Sequence, residues 1–271
     1  METILVLGTH RSGTSLVTGM LHRMGVNMGP PGRDARWIYP NWANPTGQFE
    51  NPEFTELLHQ FLDFDGEDAR WDPRWADLTA RTQEYLPAFV RLIRRTESEH
   101  WGWKQPWSML ILEALLPEIK NPRFVVVRRN VPDVLDSLHR RDGITAEEAT
   151  RVTTEVTVRM EELVRRHPEI PTLSLMYEEV IKDPRAAAQR LADFLGLSLP
   201  PETLHYVASL AMPDKELRRA RRQTAQRDLL TLPLRYAWLL SQDLRTGSKF
   251  TASHLARTFP RELYRTLRAS T

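Results

Sequence analysis

The sequence predicts an α/β fold with three layers: a central parallel sheet of four to five strands, helices on both faces, and a helical C-terminal appendage. Three observations carry this. Four short apolar runs, 4–7, 101–104, 124–127 and 172–176, are each followed by a segment of helical character. Strands alternating with helices imply right-handed crossovers and a parallel sheet covered on both sides. The first run enters its helix through a loop bounded by Gly8 and Gly13. Finally, 271 residues with no cysteine make a chain long enough to bury a core without covalent staples.

Ile4-Leu5-Val6-Leu7 is continuous and apolar, as a strand buried on both faces requires. Thr14 to Met24 follows with Leu16, Val17, Met20, Leu21 and Met24 at helical spacing. Residues 27–51 are rich in Pro, Gly and Asn and read as a long ordered loop, a kind that is usually functional. Helices are expected over 52–64, 84–97 and 109–116, and a strand over Trp101-Gly102-Trp103-Lys104. Phe124 to Val127 is a third strand, and Pro132 fits the first turn of a helix over 131–140. Thr145-Ala146-Glu147-Glu148 has the form of a capping box opening a helix to about Arg166. Thr172 to Met176 is the fourth strand, and Asp183-Pro184 starts a helix that ends near Gly196.

Composition excludes several classes. The absence of cysteine removes disulfides, zinc–thiolate sites, iron–sulfur clusters and thiol nucleophiles. Apolar residues at 41% and charged residues at 27% exclude a disordered chain. A net charge of +2 argues against a nucleic-acid partner. No run approaches the roughly 20 apolar residues of a membrane span, and the N-terminus lacks a basic leader, so a cytoplasmic location is expected. The charge is uneven: residues 213–271 hold 13 Lys/Arg against 5 Asp/Glu, while the rest hold 24 against 30. The chain therefore divides into an α/β domain over 1–212 and a basic helical extension over 213–271. Seven of the eight tryptophans fall between Trp37 and Trp107; most are expected in the core, with one or two lining a pocket.

Gly8-Thr9-His10-Arg11-Ser12-Gly13-Thr14-Ser15 has the spacing of a phosphate-binding P-loop, but Thr14 stands where that motif carries lysine. Backbone amides at the helix start still suit an anion. The missing lysine, and a third strand ending in Arg128-Arg129 instead of an acid, argue against hydrolysis of a nucleoside triphosphate. No cluster of metal-ligating residues is evident, so no metal is expected.

Arg11-Ser12-Gly13-Thr14-Ser15 resembles the 5′-phosphosulfate loop of sulfotransferases that use 3′-phosphoadenylyl sulfate (PAPS), especially the bacterial and tyrosylprotein types. That resemblance implies a P-loop-like fold, PAPS as co-substrate and the desulfated nucleotide PAP as product. It implies that Ser12, Gly13, Thr14 and Ser15 hold the 5′-phosphate and that Arg11 neutralises the bridging oxygen. Arg129 and Ser137, eight apart across a strand end and a helix, resemble the family's 3′-phosphate pair. Tyr177-Glu178-Glu179 through Asp183-Pro184 resembles a segment whose Tyr lies against adenine. From the basic run 218–222, Arg218 is assigned to close over the 3′-phosphate. Leu16 stands where many cytosolic members place a stacking Trp.

For the chemistry, Lys104 in Gly102-Trp103-Lys104-Gln105-Pro106 resembles a Lys-Asp-Pro segment that contacts the sulfuryl group, with Gln105 replacing Asp. Glu50, in Asn44-Pro45-Thr46-Gly47-Gln48-Phe49-Glu50, resembles an acid bordering the acceptor site and is the candidate base. Its alternative is a helix N-terminal acid before Pro52. His10 and His59 are weaker candidates. The expected function is transfer of the sulfuryl group from PAPS to a hydroxyl or amine of a small-molecule or glycan acceptor, carbohydrate-like first. The alternatives are a P-loop small-molecule kinase using ATP and a non-catalytic nucleotide-binding protein. Membrane contact through the C-terminal basic helices is a secondary expectation.

Overall fold

The computed structural model describes residues 1–29, 49–62 and 78–210, and every one of them belongs to a single compact unit. The boundary expected between 212 and 213, the whole extension with Arg218, and Trp37, Trp42, Trp71, Trp75 and Trp238 lie outside the described residues.

Four strands, β1 (Glu2–Leu7), β2 (His100–Lys104), β3 (Pro122–Arg128) and β4 (Thr172–Met176), form a fully parallel sheet in the order β2-β1-β3-β4. In register, Leu5 of β1 lies beside Trp103 of β2 and Phe124 of β3. Side chains alternate along β1. Leu5 and Leu7 enter one core with Trp101, Trp103, Phe124 and Val126, while Ile4 and Val6 enter the other with Val125 and Val127. Burial of both faces explains why these strands read as unbroken apolar runs. Gly102 is fixed by packing: a Cβ there would lie 1.9 Å from the Ile4 carbonyl oxygen.

The helices are α1 (Thr14–Arg23), α2 (Pro52–Leu62), α3 (Leu78–Thr96), α4 (Leu112–Leu115), α5 (Val131–Asp142), α6 (Ala146–Arg166), α7 (Tyr177–Lys182), α8 (Pro184–Leu195) and α9 (Pro201–Leu210). α1, α8 and α9 contribute to the second core; α2 to α6 contribute to the first. The capping box of α6 is formed: the Thr145 hydroxyl accepts from Glu148 N, and the Thr145 N–H donates to the Glu148 carboxylate. Asp183 caps α8 by accepting from Ala186 N.

Four segments differ from the sequence reading. The helix expected over 109–116 is divided into a 3₁₀ turn at Pro106–Leu110, the short α4, and a second 3₁₀ turn at Leu116–Glu118. A proline opens or enters each 3₁₀ turn, removing a helical donor. α3 begins earlier than expected, despite Pro87 in its interior. α7 and α9 were not read from sequence; α7 is only six residues long, and its sequence had been absorbed into the segment after β4.

Candidate active site

All four strands end on one side of the sheet, and the loops that follow them converge there, as ligand sites of parallel sheets do. After β1 the chain turns tightly. The Ser12 N–H and hydroxyl both donate to the Thr9 carbonyl, at 3.2 and 2.8 Å. A Cβ at Gly8 would lie 2.7 Å from the Val127 carbonyl oxygen, so only glycine lets the loop lie this close to β3. Arg11 adopts a left-handed backbone with φ 65°, and Gly13 follows with φ 94°. Strain at a non-glycine residue of this kind costs about 1–3 kcal/mol and concentrates at functional sites. α1 then starts at Thr14, with no side-chain cap on its N-terminus. Its first-turn amides face the loop, where the helix dipole favours an anion.

The two arginines ending β3 have opposite fates. Arg128 donates from Nε and Nη2 to the two carboxylate oxygens of Glu161, each at 2.8 Å, and from Nη1 to the Ser174 hydroxyl. It is a structural tie to α6. Arg129 turns toward the first loop and donates from Nη1 to the Arg11 carbonyl at 3.0 Å. Its guanidinium carbon sits 4.3 Å from the centre of the Tyr177 ring. Its Nε is buried with no hydrogen-bond partner among the described residues, so this donor is unspent within them. Arg11 in turn donates from Nε to the Ser137 hydroxyl at 3.0 Å. Arg11, Arg129, Ser137 and Tyr177 therefore form one assembly. Tyr177 also closes against Gly13, where a Cβ would meet its ring at 2.3 Å. Beside it, the Glu178 carboxylate accepts from the Asn130 N–H at 3.0 Å.

Lys104, at the end of β2, is only 2% exposed. Its Nζ donates to Glu50 Oε1 at 2.5 Å and to the Ser15 hydroxyl at 3.2 Å. Burial pushes the Lys104 ammonium below the usual lysine range; the Glu50 carboxylate opposes that, and the Arg141 and Arg11 charges reinforce it. Glu50 is not the N-terminal acid of α2. Asn51 takes the cap, its Oδ1 accepting from Glu53 N and Phe54 N, and Glu53 is the first-turn acid, paired with Arg95. Phe49, buried with φ 54°, turns the chain just before Glu50.

Gln105 caps the 3₁₀ turn by accepting from Trp107 N at 3.1 Å. His10 packs edge-on against the buried Trp107, with ring centres 4.8 Å apart. Trp101, Trp103 and Trp107 are all core residues. His59 lies in the last turn of α2, at the end away from Glu50. Leu16 packs against the second core. Two contributors escaped the sequence reading: Asn51, whose signal was an Asn before Pro-Glu, and Arg141, one helical turn beyond Ser137 on α5.

A tight glycine-bounded loop entering a helix, with an arginine from the neighbouring strand reaching across it, defines an α/β protein of P-loop-like architecture, and amides at such a helix start suit an anion. Residues 3–201 match the model of the sulfotransferase family, and the chain belongs to that family. It is a sulfotransferase-type enzyme, related to enzymes that use PAPS. Among solved structures, it is similar to the sulfotransferase domain of the olefin synthase of Synechococcus PCC 7002, at 17% identity and a TM-score of 0.50, over 79% of this chain and 78% of that one. It is also similar to the sulfotransferase domain from the curacin biosynthetic pathway, at 17% identity and a TM-score of 0.45, with the same coverage. No curated protein matches it significantly. Among the described residues, no helix is long and apolar enough to cross a membrane, and no group of side chains is arranged to hold a metal ion.

Proposed function

We propose that this enzyme moves the sulfuryl group of PAPS to a hydroxyl of a small, carbohydrate-like acceptor, with Glu50 as base. One observation carries the reading: the buried Lys104 ammonium bridges Glu50 and Ser15, so base, cation and phosphate loop meet at one point. PAPS supplies a sulfuryl group on a phosphate leaving group; the acceptor oxygen bonds to sulfur as the sulfur–oxygen bond to the 5′-phosphate breaks. The residues present fit that co-substrate. Gly8 and Gly13 let the loop pack closely against β3 and Tyr177, and Arg129 Nε is buried and unpartnered among the described residues.

Ser12, Gly13, Thr14 and Ser15 hold the 5′-phosphate through the first turn of α1. Arg129 and Ser137 hold the 3′-phosphate. Tyr177 orders both loops. Arg11 offers its guanidinium to the charge that develops on the leaving oxygen. Glu50 takes the proton of the acceptor hydroxyl, and Lys104 steadies the sulfuryl oxygens.

Transfer from ³⁵S-labelled PAPS onto a mixed panel of sugars, phenols and peptides tests the activity, and calorimetry with PAP and with Mg-ATP tests the donor. PAP binding with labelled product is expected. Binding of ATP without PAP would replace this reading with a kinase. Glu50→Gln is expected to lower turnover by about 10²–10⁴; unchanged turnover would move the base elsewhere.

A further inference from the structure

We propose that Arg141 is a specificity residue that receives a carboxylate on the acceptor, so that the preferred acceptors are anionic small molecules carrying a hydroxyl. This rests on the sulfotransferase reading above and deepens it.

α5 is amphipathic, and its inward stripe runs Val134, Ser137, Leu138. Arg141 is the next position on that stripe, four residues beyond Ser137 and three beyond Leu138, and so on the same face. Its neighbour Arg140 behaves as a surface residue, paired at 2.7 Å with the exposed Asp136 one turn earlier. Arg141 is only 30% exposed. The helix dipole favours a cation in a last turn, but the exposed Arg140 already provides one on the outer face. The dipole gives no reason for a second one on the inner stripe.

Arg141 belongs electrostatically to the site. Ser137, on its stripe, accepts from Arg11, and the Arg141 charge bears on the buried Lys104 ammonium alongside that of Arg11. The charges of Arg11, Lys104 and Arg141 therefore act on one another near the point where sulfuryl transfer is placed. Arg11 and Lys104 have tasks in that reaction and Arg129 belongs to the 3′-phosphate, which leaves Arg141 as a positive charge beyond what the donor requires. Its carboxylate neighbour, Asp142, holds it weakly: Arg141 Nε and Asp142 Oδ1 are 3.8 Å apart, longer than a hydrogen bond. A guanidinium presents a planar fork that binds a carboxylate at two points, which sets orientation as well as charge.

The test uses the full chain, labelled PAPS and two matched acceptor pairs. One pair is p-nitrophenyl β-glucuronide against p-nitrophenyl β-glucoside. The other is 4-hydroxyphenylacetate against 4-hydroxyphenylethanol. The two pairs separate a sugar hydroxyl from a phenolic one while asking the same question about the carboxylate. The wild type is expected to favour the acidic member of at least one pair by about tenfold or more in kcat/KM, a fold-change typical of one charge-assisted contact. Arg141→Gln is expected to bring that ratio close to one, raising KM for the acidic acceptor about tenfold more than for the neutral one, while PAP still binds. Arg141→Lys is expected to recover part of the preference. A ratio unmoved by Arg141→Gln, or a wild type that sulfates neither acidic member, overturns the inference. Failure of the sulfotransferase reading is seen separately, as loss of PAP binding by the wild type.

Discussion

Removing one member of the Lys104–Glu50 pair tests the centre of the site without knowledge of the acceptor. The two partners are not equivalent. Lys104 is 2% exposed, while the Glu50 side chain is 16% exposed and in reach of water. Glu50→Gln leaves an ammonium buried with Ser15 as its remaining acceptor in the pair's hydrogen bonding. Breaking a buried pair costs about 3–5 kcal/mol. Lysine caps that cost at about 5 kcal/mol, since releasing its proton at pH 7 costs about 1.4 kcal/mol for each of the roughly 3.4 units below the ordinary lysine pKa. A loss of about 3–5 kcal/mol is therefore expected at neutral pH, lowering Tm by roughly 6–20 °C in a chain of this size. Lys104→Met leaves a carboxylate that water can reach, so about 1–2 kcal/mol is expected. The double variant, with no buried charge, should return to within about 1 kcal/mol of the wild type.

The pH dependence has a definite sign. Burial lowers the Lys104 pKa in the folded state, so the unfolded chain binds more protons on the way up to the ordinary lysine range. Stability attributable to Lys104 therefore rises with pH, and the Glu50→Gln deficit should shrink as pH rises from neutral toward the ordinary lysine range. Thermal melts of the four proteins across that range provide the assay. Additive single-variant losses, or a Glu50→Gln deficit that does not change with pH, would refute the buried pair.

Arg11→Ala should lower turnover by about 10²–10³ while PAP still binds, measured by steady-state transfer and calorimetry together. Arg129→Ala should weaken PAP binding by roughly 10–150-fold, the value of one charge-assisted hydrogen bond; unchanged affinity would remove it from the 3′-phosphate. Gly13→Ala places a Cβ 2.3 Å from the Tyr177 ring at φ 94°, so it should lower Tm and abolish PAP binding together.

Local pattern is enough where a residue's role is set by its neighbours in sequence. The strands were legible because both faces of the sheet are buried, and the α6 cap because a capping box is written in four residues. The P-loop-like turn was legible because glycine spacing encodes its backbone. Roles set across the fold were harder. Nothing local told Arg128 from Arg129: Glu161 and Ser174, far along the chain, take the first and leave the second for the loop. Glu50 looked equally like a cap acid until Asn51 and Glu53 were seen in that place. Arg141 sat unread because a lone arginine near a helix end is ordinary, and only the burial of its own stripe makes it unusual.

The loop after β1 and the end of β3 are joined by side chains, which bears on how binding and chemistry are coupled in the proposed reaction. Arg129 holds the Arg11 carbonyl, and Ser137 holds the Arg11 side chain, so the residue with the strained backbone is fixed at both ends by the pair proposed for the 3′-phosphate. A donor that engages Arg129 and Ser137 therefore acts on the position of Arg11 as well. Loss of Arg129 should then reduce turnover at saturating PAPS, and not only affinity, since the Arg11 carbonyl loses its anchor. Adenosine 5′-phosphosulfate, which lacks the 3′-phosphate, is the matching probe: it should show a lower saturating rate than PAPS in the wild type, and the gap should narrow in Arg129→Ala. Equal saturating rates for the two donors in the wild type would mean that the tie between the loops serves stability alone.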